Sequence, residues 1–228
     1  MKPVVLSQYL LITNAVLVVV VYLLYPALRW SLKLEAAGCL VSLISLIILI
    51  LLIKKFENKL SDNSKQNLKA GLYFGLIWTI EISMNNIIQP KLPLRDYLDN
   101  IFWGIIAFLI FYVSCRNAFN SKKISAGIKA GFFSGFASGI IACLTALILI
   151  CFGMKLLLKD PVNVAEWMNI KGKTNYPDMA SYFAYQTFAG AIMHLIILGI
   201  IMGLLLGMIG GIIGKLVASK FKINPQFN

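Results

Sequence analysis

Two glycine-rich stretches decide the fold, and they read GIKAGFFSGFASG at 127–139 and GIIMGLLLGMIGG at 199–211. A glycine recurs at every fourth position, giving the rows Gly127, Gly131, Gly135, Gly139 and Gly199, Gly203, Gly207, Gly211. Residues four apart lie on one face of an α-helix, so each row is a helix face almost without side chains. A helical glycine costs about 1 kcal/mol relative to alanine in water, whereas in a bilayer the bare face lets two backbones approach closely. The rows therefore predict membrane helices that pack on their glycine faces.

The composition indicates the same class of protein. The chain has 228 residues, of which 59% are hydrophobic and 13% are charged, whereas a soluble domain has about 25% charged residues. A run of about 20 apolar residues crosses the hydrocarbon core as a helix. Windows of that length give six spans, at about 5–27, 36–53, 70–90, 98–117, 124–152 and 183–214. We expect one all-α polytopic membrane domain over residues 1–228, with an outside loop at 153–182.

The net charge of +12 is unevenly distributed between the loops. With six spans, most of the lysines fall on the side shared by both termini, the 54–69 loop and the 118–123 region. Lysine and arginine concentrate in cytoplasmic loops, so an N-in/C-in topology is predicted, with the basic side against anionic headgroups of the lipid bilayer. No aromatic-rich basic fold motif accompanies the charge, so nucleic acid is not an expected partner. We expect a multi-pass protein of a cell membrane, with a bacterial inner membrane as the simplest location.

The third and fifth predicted spans begin alike, with KAGLYFG at 69–75 and KAGFFSG at 129–135. Both copies enter the membrane from the basic side, so the similarity indicates a parallel internal repeat in which Gly71 and Gly75 are also packing residues. The alternative is convergence, because a snorkelling lysine followed by small residues suits any helix that enters a bilayer.

The 153–182 loop contains a signal for a short helix. Asp160 is a suitable N-cap and Pro161 a suitable first helical residue. Val164, Trp167 and Met168 then fall on one face. The pattern predicts a helix at the membrane interface with Trp167 at headgroup depth. This helix is either a lid over an outward-facing cavity or a plain connector.

Polar residues in the outer half of the membrane are the candidate site. Glu81 is the only acid well inside a predicted span, and Asn85 and Gln89 follow it at four-residue spacing on the same helix face. Gln186 and the single histidine, His194, lie on one face of the sixth span. Convergence of these faces would give a pocket for a small polar or cationic solute, or a proton-coupled site. The alternative is that the amides and the histidine hold helices together by hydrogen bonds.

Asp96, Asp99 and Asn100 lie just beyond the Glu81 stripe, at the start of the next helix.

Three functions are compatible with these features. The first is a transporter, or the solute-binding membrane subunit of one, which would need an energising partner subunit or a coupling ion because no phosphate-binding loop is present. The second is a non-catalytic assembly or regulatory subunit that docks partners through the glycine rows. The third, remote, is an intramembrane hydrolase that uses Ser138 with His194. With one histidine, no HExxH motif and no cysteine cluster, neither a metal nor a cofactor is expected.

Overall fold

The computed structural model describes residues 2–27 and 33–220, and within these ranges the chain is helical, with no strand. The first five long helices are α1 (Pro3–Leu24), α2 (Lys33–Phe56), α3 (Asp62–Ser83), α4 (Leu94–Ser121) and α5 (Ile124–Phe152). They are followed by the short helix α6 (Pro161–Ile170) and the long helix α7 (Met179–Lys220). α3 continues into a π-helical turn at Met84–Ile88, and α7 contains a π-helical segment at His194–Ile201.

Five of the described helices are long and apolar enough to cross a membrane, namely α1, α2, α4, α5 and α7. The predicted third span, 70–90, corresponds to α3, which is not among them because polar and charged residues occupy both of its ends. α3 nevertheless lies along α4 over most of its own length. Asn117 donates a hydrogen bond to Asn67 near its start (3.2 Å), and Asn85 donates to Asp99 just beyond its end (2.6 Å).

The two ends of the bundle differ in charge. The start of α1, the segment after α2, the α4–α5 turn and the last turns of α7 lie at one end, where Gln8 contacts Glu57 (3.4 Å) and Gly127 packs against Gly211. We call this the basic end, and its cations include Lys54, Lys55, Lys59, Lys65, Arg116, Lys122, Lys123, Lys215 and Lys220. The opposite end carries most of the acids of the described residues, and we call it the acidic end, although cations nearly balance them. Its acids are Glu35, Asp96, Asp99, Asp160, Glu166 and Asp178, and its cations include Lys91, Arg95, Lys155, Lys159, Lys171 and Lys173.

α5 is the central helix and packs against α1, α3, α4 and α7. Its glycine row faces that of α7, since a Cβ added at Gly203 would lie 2.7 Å from the carbonyl oxygen of Gly131. A Cβ at Gly131 would in turn overlap the backbone of Gly203 and Gly207. Gly71 of α3 packs against the backbone of Ser134 on α5. The closest backbone approaches therefore occur where glycine removes the side chain.

α7 has a second glycine face that the four-residue rows did not predict. A Cβ at Gly210 would lie 2.8 Å from Ser114 Cβ, and one at Gly214 would overlap the backbone of Cys115, both on α4. The last turns of α7 are therefore wedged between α4 and α5.

The outer surface of the bundle is strongly apolar. Large side chains on α2 and α4 are well exposed, for example Val41 (62%), Leu51 (60%) and Phe108 (62%). Apolar surface of this extent is unfavourable in water and is typical of a protein surrounded by lipid. The surface thus agrees with a membrane protein.

The loop helix α6 begins at the predicted signal. The Asp160 side chain accepts a hydrogen bond from Val162 N (3.0 Å) and caps the helix. Trp167 is only 9% exposed and packs against Tyr182 with ring centroids 5.9 Å apart. Met168 remains 66% exposed. The tryptophan therefore anchors α6 onto α7 instead of facing its surroundings with Met168.

Candidate functional site

Two carboxyl groups from neighbouring helices meet at the acidic end of the bundle. Glu81, near the end of α3, is 6% exposed. The amide of Asn85, one turn further on, donates to Glu81 Oε1 (2.9 Å) and to Asp99 Oδ1 on α4 (2.6 Å). Among the described residues, Glu81 Oε2 and Asn85 Oδ1 are buried with no hydrogen-bond partner. We call Glu81 and Asp99 the acid pair; its acceptor atoms outnumber the donors that the protein offers them.

Arg95, a cation that acts on Glu81, is already paired with another acid. Arg95 Nη1 lies 2.7 Å from Asp160 Oδ2, and the two side chains are 15% and 1% exposed. Because Asp160 also caps α6, this ion pair fastens the loop helix to the start of α4. Arg95 therefore pairs directly with Asp160 and acts on Glu81 only electrostatically, without an ion pair to it.

Aromatic rings lie one helical turn deeper than each acid. Trp78 precedes Glu81 by three residues and Trp103 follows Asp99 by four, spacings that place each ring beside its acid on the helix surface. The two indoles meet edge to face, with centroids 5.5 Å apart. His194 of α7 packs edge-on against Trp78 (4.8 Å) and contacts Trp103 (6.3 Å). We call these three side chains the aromatic layer, which separates the acid pair from the middle of the bundle.

Both π-helical segments adjoin this site. Asn85 lies in the first and His194 begins the second, and such segments occur frequently at functional sites. The His194 ring bonds through Nδ1 to the carbonyl of Gly190 (2.7 Å), and its Nε2 is buried without a partner. Gly139 of α5 supports this turn from behind, since its Cβ would lie 2.8 Å from His194 O.

Of the predicted site residues, Glu81, Asn85 and His194 border one region, whereas Gln89 and Gln186 lie elsewhere. The π-helical turn breaks the four-residue spacing, and Gln89 adopts a left-handed conformation (φ 54°). Its amide donates to Leu156 O (3.0 Å). Gln186 is exposed and interacts with Tyr182, on the side of α7 that faces α6.

Sequence reasoning placed Asp99 only beside the site and missed Trp78, Trp103, Arg95 and Asp160. The spacing of each tryptophan from its acid is a usable signal for the first two. Nothing in the sequence pairs Arg95 with Asp160, because 65 residues separate them.

The geometry lacks the hydrogen bond that an intramembrane hydrolase built on Ser138 and His194 would need. Ser138 Oγ and His194 Nε2 are both buried without hydrogen-bond partners, so no bond joins the hydroxyl to the imidazole. Nucleophilic catalysis needs that bond to activate the serine. Among the described residues, no group of three or more histidine, cysteine or acidic side chains is arranged to hold a metal ion.

Comparison with known proteins adds no relative. No protein-family model matches the chain, and neither a curated protein nor a solved structure matches it. Any functional assignment therefore depends on the geometry of the site itself.

Proposed function

We propose that this chain is a small transporter, or the solute-binding membrane subunit of one, and that the acid pair binds a small cationic solute. One observation carries the proposal: the buried Glu81 carboxyl group has an oxygen without a hydrogen-bond donor, lies against the Asp99 carboxyl group and shares a single amide donor with it. An acid inside a membrane bundle costs several kcal/mol unless it is paired, wetted or protonated. A bound cation would supply the missing partner.

The aromatic layer favours an organic ammonium group as that cation. Cations bind over the faces of indole rings within about 6 Å of the ring centroid, with tryptophan the strongest partner. Trp78 is 5% exposed, so its ring is fixed by packing, whereas Trp103 is 45% exposed and lies at the outer surface of α4. An ammonium group bound here would have carboxyl oxygens on one side and indole rings on the other.

The loop after α5 acts as a lid in this proposal. Gln89 holds Leu156 O, and Arg95 holds Asp160, so two polar contacts fasten residues 156–160 over the α3–α4 connection. Glu81 is covered in this arrangement, and a solute could enter from the acidic end only after these contacts open. This gives the loop a role beyond that of a connector.

The proposal includes six membrane crossings, with α3 as the polar one, and an N-in/C-in topology. The positive-inside rule places the basic end in the cytoplasm, so the acid pair would lie in the outer half of the membrane. Because the chain lacks a nucleotide-binding motif, transport would need a coupling ion or an energising partner subunit.

The glycine packing supports this function over the assembly subunit. Gly131 approaches Gly203 and Gly207, and Gly127 approaches Gly211, so the two rows occupy each other inside the bundle. Neither row is left free to dock the helix of a partner. The glycine rows are therefore used for packing within this chain, which removes the feature that favoured docking of a partner.

The test is native mass spectrometry of the detergent-purified protein after incubation with small ammonium compounds, from tetramethylammonium to choline. We expect the wild-type protein to retain a cation and Glu81→Gln to lose it, because the amide carries no charge to offset the ligand. Glu57→Gln, at the basic end, is the charge-matched control and should bind normally. Failure of the wild-type protein to retain any cation, or equal retention by Glu81→Gln, would exclude this site.

A further inference from the structure

A second polar cavity lies at the basic end, between the start of α3 and the end of α4. Its volume is about 420 Å³, and α3 contributes Asn63, Gln66 and Asn67 to its lining. α4 contributes Arg116, Asn117 and Asn120. Among the described residues, Arg116 is the only charged side chain in the lining, so this part of the chain gives the cavity one cation and no acid.

Most hydrogen-bond donors of this cavity have no partner in the protein. Asn117 uses its amide, which donates to Asn67 Oδ1 (3.2 Å) and to Val113 O (2.9 Å). Asn63, Gln66, Arg116 and Asn120 are exposed, and among the described residues their side chains form no hydrogen bond or ion pair, so these donors are open to water or to a ligand. A cavity that offers a free guanidinium and several free amides, and no carboxylate, is complementary to an anion.

The donors come from two helices. Arg116 and Asn120 line the cavity from α4, whereas Asn63 and Gln66 line it from α3. A planar carboxylate can be satisfied by one guanidinium fork, but a tetrahedral phosphate has oxygens that point in several directions. Donors on two opposing helices suit the second shape. The lysines of the basic end add a favourable potential for a phosphate.

We propose that this cavity binds a phosphate ester, which either the headgroup of an anionic lipid or a soluble phosphorylated compound can supply. Basic pockets between membrane helices are known to hold lipid headgroups, and a soluble ester presents the same oxygens. The site is separate from the acid pair and does not depend on the proposed transport function.

The test uses native mass spectrometry of the detergent-purified protein with three separate ligands: dioleoyl phosphatidylglycerol, dioleoylglycerol and glycerol 3-phosphate. Dioleoylglycerol has the same acyl chains without the phosphate. We expect Arg116→Gln to weaken binding of the phosphate ester by about tenfold, because a hydrogen-bonded charge is lost. Lys123→Gln removes the same charge at the same end but outside the cavity. The affinity of this variant for the phosphate ester should stay within about twofold of wild type.

Asn120→Leu is the second variant, because leucine has nearly the same shape but removes the amide donor without changing the charge, and it should weaken the same binding. Melting temperatures of all variants establish that they remain folded. Saturable binding of phosphatidylglycerol alone would identify a lipid site, and binding of glycerol 3-phosphate would identify a soluble one. Three outcomes would overturn the proposal. They are equal binding of dioleoylglycerol and phosphatidylglycerol, an equal loss of affinity in Arg116→Gln and Lys123→Gln, and no saturable binding of either ester.

Discussion

Alanine substitutions at four helical glycines should destabilise the bundle in an order set by the space at each position. A Cβ at Gly104 meets nothing within 4 Å, whereas one at Gly207 would lie 3.0 Å from Ile128 O. At Gly203 the nearest atom is 2.7 Å away, and at Gly131 the Cβ would overlap backbone atoms of the facing helix. All four glycines lie inside helices, so each alanine variant gains the same helix propensity. This gain cancels when the stabilities of the variants are compared with one another.

The magnitude follows from how far the helices must separate. Carbon atoms pack best at about 3.5–4.0 Å, so alanine at Gly203 needs a displacement of roughly 1 Å against rigid backbone. Overpacking a close contact costs about 1–3 kcal/mol. We expect Gly104→Ala to be neutral or stabilising, Gly207→Ala to cost about 1 kcal/mol and Gly131→Ala about 3 kcal/mol, with Gly203→Ala between them.

The assay is unfolding of the detergent-solubilised protein by titration with sodium dodecyl sulfate, followed by circular dichroism and tryptophan fluorescence. The difference between each variant and Gly104→Ala gives the packing contribution alone. Equal unfolding midpoints for Gly131→Ala and Gly104→Ala would refute the close approach of α5 and α7. The same packing predicts that Gly203→Leu unfolds the isolated chain instead of only releasing a partner.

Two further predictions concern the acidic end. Asp160→Asn keeps the α6 cap, because asparagine is an equally good N-cap, but it removes the charge that pairs with Arg95. We expect faster hydrogen exchange and faster proteolysis in residues 153–178 of this variant. Unchanged protection of that segment would argue against the lid. Tyr176 donates to Glu35 Oε1 (3.0 Å), and burial first, then this bond and the negative charge of Glu35, raise the pKa of Tyr176 above its usual 10.0. The stabilisation of the fold by this hydrogen bond is therefore fully present below pH 10 and is lost as the pH rises through the higher folded-state pKa of Tyr176. Tyr176→Phe should cost about 1 kcal/mol near neutral pH, with a difference from wild type that shrinks above pH 10; a difference independent of pH would contradict this linkage.

Local features of the chain were predictable because they depend on residues close in sequence. The helical class follows from composition, and the Asp160 cap follows from the acid and the proline beside it. The glycine row of α5 follows from a four-residue period that any straight α-helix converts into one face. The Glu81–Asn85 contact has the same local origin.

The partners of these faces could not be predicted in the same way. The α-helical period placed Gln89 with Glu81, but the π-helical turn interrupts that period and sends Gln89 to Leu156. A π-helical turn is retained when tertiary contacts favour it, and the residue types inside the turn do not predict it. The second glycine face of α7, at Gly210 and Gly214, is recognisable only once α4 lies against it.

The sequence by itself determined a helical chain suited to lipid, the helix faces that lack side chains, and a buried acid that needs a partner. The tertiary structure alone decided that Asp99 shares the Asn85 amide with Glu81. It also decided that Trp78 packs against Trp103, and that Arg95 forms an ion pair with Asp160. The physical reason is that periodicity and capping are short-range properties of one helix. The pairing of side chains from different helices depends on which backbones can approach closely, and that is decided by packing across the whole bundle.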